Sequence, residues 1–161
     1  MSAMTDFQSK FVNFYNKHFG GNVTPVYELA GEVWKAQNAD VEVVTANKTR
    51  TAADSGKTFL CNADNLVISL PATAAGLKYT FINIAARTTA LLSISPVAAD
   101  GISGTFTLAA TVVVDAGVVN KDIQNTKASQ EVGDSVTIVG TGITGTKAWI
   151  ITKSTGIWKA E

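Results

Sequence analysis

Residues 53–58, Ala-Asp-Ser-Gly-Lys-Thr, end the way a phosphate-binding loop ends, with a lysine placed to meet a phosphate and a hydroxyl to meet its magnesium ion. That chemistry also needs a glycine five positions before Gly56, and Thr51 stands there. It needs a helix after the loop, so that backbone N–H groups converge on the anion. The run Phe59-Leu60-Cys61 that follows is apolar and reads as a strand, so the segment is expected to be a tight turn into that strand.

His18 is the single histidine and Cys61 the single cysteine, and no HExxH or CxxC spacing joins them to other ligands. A serine triad would have to recruit the same His18, which fits better near a helix C-terminus, where partial positive charge is favoured. Asp54, Asp64, Asp100, Asp115, Asp122 and Asp134 mostly stand beside Gly, Asn or Ser, the context of turn formation rather than of two carboxylates facing a cleft. No calcium-loop spacing of acids occurs. The expectation is a chain that is not an enzyme, with no catalytic residue, no cofactor and no metal.

Charge narrows the field further. Thirteen basic and thirteen acidic residues balance, charged residues make up 16% of the chain, and the basic ones are scattered. Such a distribution gives no footprint for nucleic acid or an acidic membrane. The start lacks the basic and apolar regions of a secretory leader, and no apolar run approaches the length of a membrane span. A soluble protein made in a reducing cytosol is expected, with Cys61 as a small buried hydrophobe.

The elements follow from periodicity. Thr5 and Gln8 fit a capping box, and Gly20-Gly21 supplies a stop, so a helix is expected over residues 5–19. At 100° per residue Met4, Phe7, Phe11, Phe14, Tyr15 and His18 share one face. A helix this short is marginal alone, so its stripe must pack against something, either its own β domain or a neighbouring subunit or other protein. With each buried Phe contributing roughly 1.5–3 kcal/mol, it is the strongest candidate adhesive in the chain. Phe7, Phe11, Phe14 and Tyr15, with Tyr27 and Trp34 of the following connection, are the candidate partner-binding residues. From residue 41 on, strand-like runs fall at 41–44, 58–61, 66–70, 79–84, 91–94, 105–108, 111–114, 136–139, 148–152 and 157–159. No helix-length crossover separates them, so the expected fold is mainly β. An antiparallel sandwich or partly closed barrel of about ten short strands would follow one N-terminal amphipathic helix. The division expected is an anchoring arm and linker over 1–40 and a β-rich domain over 41–161.

Within 49–63 the sequence reads Thr-Arg-Thr-Ala-Ala-Asp-Ser-Gly-Lys-Thr-Phe-Leu-Cys-Asn-Ala, followed by Val67-Ile68-Ser69-Leu70-Pro71 and by Ala75-Gly76-Leu77-Lys78-Tyr79-Thr80-Phe81-Ile82. This succession resembles a pattern recurring in virion proteins of tailed bacteriophages. The closing stretch, Gly133-Asp134-Ser135-Val136 through Trp149-Ile150-Ile151 and Gly156-Ile157-Trp158, is similar to the last strands of the same domains. The resemblance covers about two-thirds of the chain, from residue 40 on. It implies a capsid decoration or cement protein on the virion surface, made in the bacterial cytoplasm, bound to the major capsid protein and often a homotrimer. Such modules also occur in tail and head fibres, and the aromatic arm is not part of the pattern. A fibre module binding a host receptor or glycan is therefore the alternative, with Trp149 or Trp158 as the aromatic platform.

Overall fold

The computed structural model describes residues 9–10, 13–14, 40–85, 92–107, 112–126 and 130–161. The chain divides into two compact units, Met1–Asp40 and Val41–Glu161. The helix expected over 5–19 falls almost wholly outside the described residues. Ser9, Lys10, Asn13 and Phe14 have helical backbone, four residues that do not establish it, and the described architecture is one of strands.

The described residues of the second unit form twelve strands. The first six are β1 (Val41–Val44), β2 (Lys48–Thr49), β3 (Thr58–Cys61), β4 (Leu66–Ser69), β5 (Lys78–Asn83) and β6 (Leu92–Ser95). The rest are β7 (Asp100–Thr107), β8 (Val112–Asp115), β9 (Ile123–Asn125), β10 (Ser135–Gly140), β11 (Gly145–Thr155) and β12 (Trp158–Ala160). They form a seven-stranded sheet in the order β1-β3-β5-β10-β11-β7-β8 and a five-stranded sheet in the order β12-β9-β6-β4-β2. Neither sheet closes into a barrel.

The sheets are mixed, which corrects the antiparallel expectation. β1 with β3, β3 with β5, β2 with β4, β4 with β6, and β7 with β11 all run parallel. Parallel neighbours need a crossover, usually a helix. For the first four of these pairs the crossover is a strand of the opposite sheet. From β1 to β7 the chain alternates strictly between the two sheets, and up to β6 each strand returns beside its predecessor in the same sheet after one excursion through the other layer. Val41 pairs with Thr58 and Thr58 with Thr80, which makes each circuit only about twenty residues long. After β7 the chain changes habit: β8 turns back antiparallel on β7 in the same sheet. β10 and β11, antiparallel to each other, stand between β5 and β7, with β10 antiparallel to β5 and β11 parallel to β7.

Both layers feed one core. Strand alternation sends Phe59 and Cys61, Leu66 and Ile68, Tyr79 and Phe81, Leu92 and Ile94, Val136 and Ile138, and Trp149 with Ile151 into it. Phe59 stacks on Phe81 with ring centroids 5.3 Å apart, and Tyr79 bridges from Phe81 to Trp149 at 5.6 Å. Cys61 is buried, as expected of a small hydrophobe. Trp158 is buried near the chain end, its Nε1 donating to the Thr155 carbonyl at 3.0 Å.

Candidate functional site

The residues that imitate a phosphate loop are occupied with one another. Ala52–Asp54 form a single 3-10 turn, Gly56 takes the left-handed conformation at φ 91°, and β3 starts two residues later. Asp54 accepts from the Thr51 backbone N–H at 2.9 Å, the Thr51 hydroxyl at 3.0 Å and the Lys57 ammonium at 2.9 Å. The Gly56 N–H donates to the Lys78 carbonyl and the Lys57 N–H to the Asp54 carbonyl. With a strand following and these donors spent, the segment is the expected turn rather than an anion cradle. Desolvation is the largest influence on Asp54 and pushes its pKa up. The hydrogen bonds from Lys57 and Thr51, with the Lys57 charge behind them, outweigh it and hold the carboxyl at about 2, below the ordinary 3.8.

Beside this turn a charged cluster covers one flank of the core. Arg50 is buried, with its guanidinium carbon 4.2 Å from the centre of the Phe59 ring, where a cation over the aromatic face is favoured. Glu42 on edge strand β1 accepts from Arg50 at 3.2 Å and from Lys48 at 2.6 Å. The Lys48 hydrogen bond is the largest influence on Glu42, and with Arg50 it holds that carboxyl below its ordinary range against desolvation. Tyr79 donates to the Thr51 carbonyl at 2.8 Å, tying the same turn to β5.

The feature with the plainest capacity to bind lies on the loops of the same end. Segments 71–76, 96–99, 116–120 and 141–146 carry no charged residue in a chain where 16% are charged. They are stitched together. Thr73 donates its N–H to buried Asp100 at 2.8 Å and its hydroxyl to the Ala148 carbonyl at 2.6 Å, while Gly142 donates to the Thr73 hydroxyl at 3.2 Å. Gly145 donates to Ala99, and Gly76 to Gly140. Gly117, at φ 73°, lies so close to the Thr146 carbonyl that a β-carbon would collide with it. This close approach seats segment 116–120 against the start of β11. The outcome is a fixed surface of small side chains from which Val118, Val119 and Ile143 project, 57%, 41% and 69% exposed.

The opposite end is held by polar groups. Asn125 Nδ2 donates to Asp134 at 2.7 Å and to the Ile157 carbonyl at 3.0 Å, and Asp134 also accepts from the Glu131 N–H at 2.9 Å. Gly156, at φ 78°, packs directly on the Asp134 carboxylate. Asp100 and Asp134 thus differ from the turn role expected of the aspartates: both are buried and each fastens one loop set. Asp54, Asp64 and Asp115 do serve turns.

Of the candidate partner-binding residues, Phe7, Phe11, Tyr15, Tyr27 and Trp34 lie outside the described residues, as does His18. Phe14 is described and is exposed. Nothing here brings the six together into one site. Trp149 and Trp158 are buried in the core, so neither offers a face on which a sugar could stack. Among the described residues no three His, Cys, Asp or Glu side chains gather as a metal site would require. No described helix is long and apolar enough to cross a membrane. The uncharged loop end escaped notice in the sequence because its signal is a lack of charge spread over four separated segments, each of which reads alone as an ordinary turn.

Compared with protein-family models, with curated proteins and with solved structures, the chain matches none.

Proposed function

We propose that the chain is a non-enzymatic structural protein of a tailed-phage particle. In this reading it is a capsid decoration or cement protein that binds the major capsid protein on the outside of the shell, as a homo-oligomer for which three copies are favoured. One observation carries the reading. The residues of the recurring virion-protein pattern are the ones that shape the β unit: Gly56 and Gly76 turn the chain at φ 91° and 83°. Leu70 is buried before Pro71 closes β4, and Tyr79 with Phe81 alternate from β5 into the core. A pattern made of turn and core positions would travel with a fold, and this supports reading the resemblance as one of architecture. Dry packing by an uncharged surface suits a cement, which gains from contacts that salt does not screen.

The N-terminal segment is the anchor in this reading, with Phe7, Phe11, Phe14, Tyr15, Tyr27 and Trp34 as its contacts. The test is cosedimentation with phage particles stripped of the protein. Replacing Phe7→Ala with Phe11→Ala is expected to leave the β unit folded, by its near-ultraviolet circular dichroism, and to abolish binding. Undiminished occupancy by the double variant would refute the anchor.

A further inference from the structure

We propose that β1 is a releasable strap. The charge of Glu42 closes it over buried Arg50, and without that charge the strand leaves β3 and frees the chain from residue 41 to a pivot at Asn47.

The need for a clasp starts at Arg50. Its backbone N–H donates to the Ser69 carbonyl at 2.7 Å, which fixes the residue just after β2. Its guanidinium is buried against the Phe59 ring, and Nη1 bonds to Glu42 at 3.2 Å. Nε and Nη2 are buried with no hydrogen-bond partner among the described residues. Glu42 is also the one carboxylate that pairs with this cation among the described residues. Guanidinium groups stay charged in proteins, and a buried charge stripped of its counter-charge destabilises whatever keeps water from it.

The part of that cover with least to hold it is β1. Glu42 stands opposite Phe59 in the strand register, so carboxylate and guanidinium meet over the same ring, at the rim of the seven-stranded sheet. β1 has a neighbour on one side only. Of its four residues Val44 alone belongs to the core, whereas Val41 and Val43 are 52% and 55% exposed. Its link to β2, Thr45-Ala46-Asn47, is exposed throughout. Asn47 is fastened elsewhere, its side chain accepting from the Val67 N–H at 2.8 Å, which makes it the pivot. β3, by contrast, is paired on both sides and gives Phe59 and Cys61 to the core. An edge element with few buried contacts opens before the rest.

Release has a mechanical consequence. Residues 41–46 become tether between the two units, and six extended residues reach up to ~20 Å. The conditions are set by the groups around Glu42. Lys48 of β2 bonds it at 2.6 Å beside Arg50, while Asp54 with Lys57 in the turn, and Tyr79 bonded to Thr51, complete the charged and titratable surroundings. Lys48 and Arg50 hold the Glu42 carboxyl below its ordinary 4.5 against desolvation. A clasp of this sign is closed at neutral pH and is lost as the pH falls through the depressed folded-state value. Asp54, held at about 2, titrates in the same acid range, so acid alone does not isolate the clasp and side-chain replacement does.

Hydrogen exchange of the full chain, read by mass spectrometry, tests it. At about pH 7 Glu42→Gln should speed exchange over residues 41–47 about tenfold while β10 and β11 keep their protection. Adding Arg50→Met removes the charge that needs the clasp, so the double variant should regain wild-type protection over 41–47. In the wild type that protection, corrected for the intrinsic rate, should fall between about pH 6 and about pH 3, and in the double variant it should not. Unchanged exchange in Glu42→Gln overturns the proposal. So does a double variant as open as the single one, which would make Glu42 an ordinary contact. Loss of protection in β10 and β11 together with β1 overturns it too, because the strand would then open only with the whole unit. None of these readouts involves a particle, so the strap and the anchor are tested apart.

Discussion

The Asp54 carboxylate collects the Thr51 N–H, the Thr51 hydroxyl and the Lys57 ammonium, and its pKa sits at about 2 against an ordinary 3.8. A depressed folded-state pKa means that the stabilisation is complete above the unfolded value and is lost as pH falls through the folded one. The window therefore runs from about pH 4 down to about pH 2. Asp54→Asn is expected to cost roughly 1 kcal/mol near neutrality, after allowance for solvent screening at a turn. That deficit should shrink below about pH 4 as the wild-type carboxylate is neutralised. Urea midpoints of both chains across the acid range measure it, and a deficit independent of pH would show that the carboxylate charge is not what holds the turn. Glu42, held low by Lys48 and Arg50, moves wild-type stability in the same direction. At this scale the sequence was legible where a residue acts through its neighbours in the chain, as Asp54 and Gly56 do. It was silent where the partner is remote: Asp100 bonds Thr73, Asp134 bonds Asn125, and Arg50 lies over Phe59.

Strand β3 has parallel neighbours on both sides, β1 and β5, and each is reached through the other sheet. Phe59 is its central inward residue, touching Phe81, Tyr79 and the Arg50 guanidinium. Phe59→Ala removes the ring and strips the apolar cover from a buried cation, so a loss of about 3–5 kcal/mol is expected. The damage should be uneven, with hydrogen exchange accelerating first in β1 and β3 while β10 and β11, at the antiparallel centre of the sheet, keep their protection. Uniform acceleration would show that the parallel circuits are not a separate layer of stability. Alternation located β1 and β3 in the sequence at the bounds they take in the structure. β2 was missed because it has two residues, and β9 because Gln124 and Asn125 are buried polar groups that break the apolar pattern. Parallel pairing was not legible at all. Short strands with turns between them look alike whether the next strand turns back in the same sheet or crosses to the other, and only the shared core decides which.

Every described core residue lies between Val44 and Trp158, inside the unit Val41–Glu161, and both of its sheets contribute to that core. Both units therefore invite separate tests, because the second owns the hydrophobic cluster that a cooperative domain requires. A chain starting at Asp40 is expected to unfold in a single urea transition. Its near-ultraviolet spectrum should keep the signature of buried Trp149 and Trp158, and its unfolding free energy should lie within about 1 kcal/mol of the full chain's. Its behaviour toward stripped particles then divides the function between the units. Lost particle binding by a folded truncated chain would assign anchoring to residues 1–40. Retained particle binding would move the anchor onto the β unit, where the uncharged loop end is the surface with the composition to serve. Collapse of the truncated chain into a molten state would instead mean that the first unit completes the fold, and the aromatic stripe would then be core rather than adhesive.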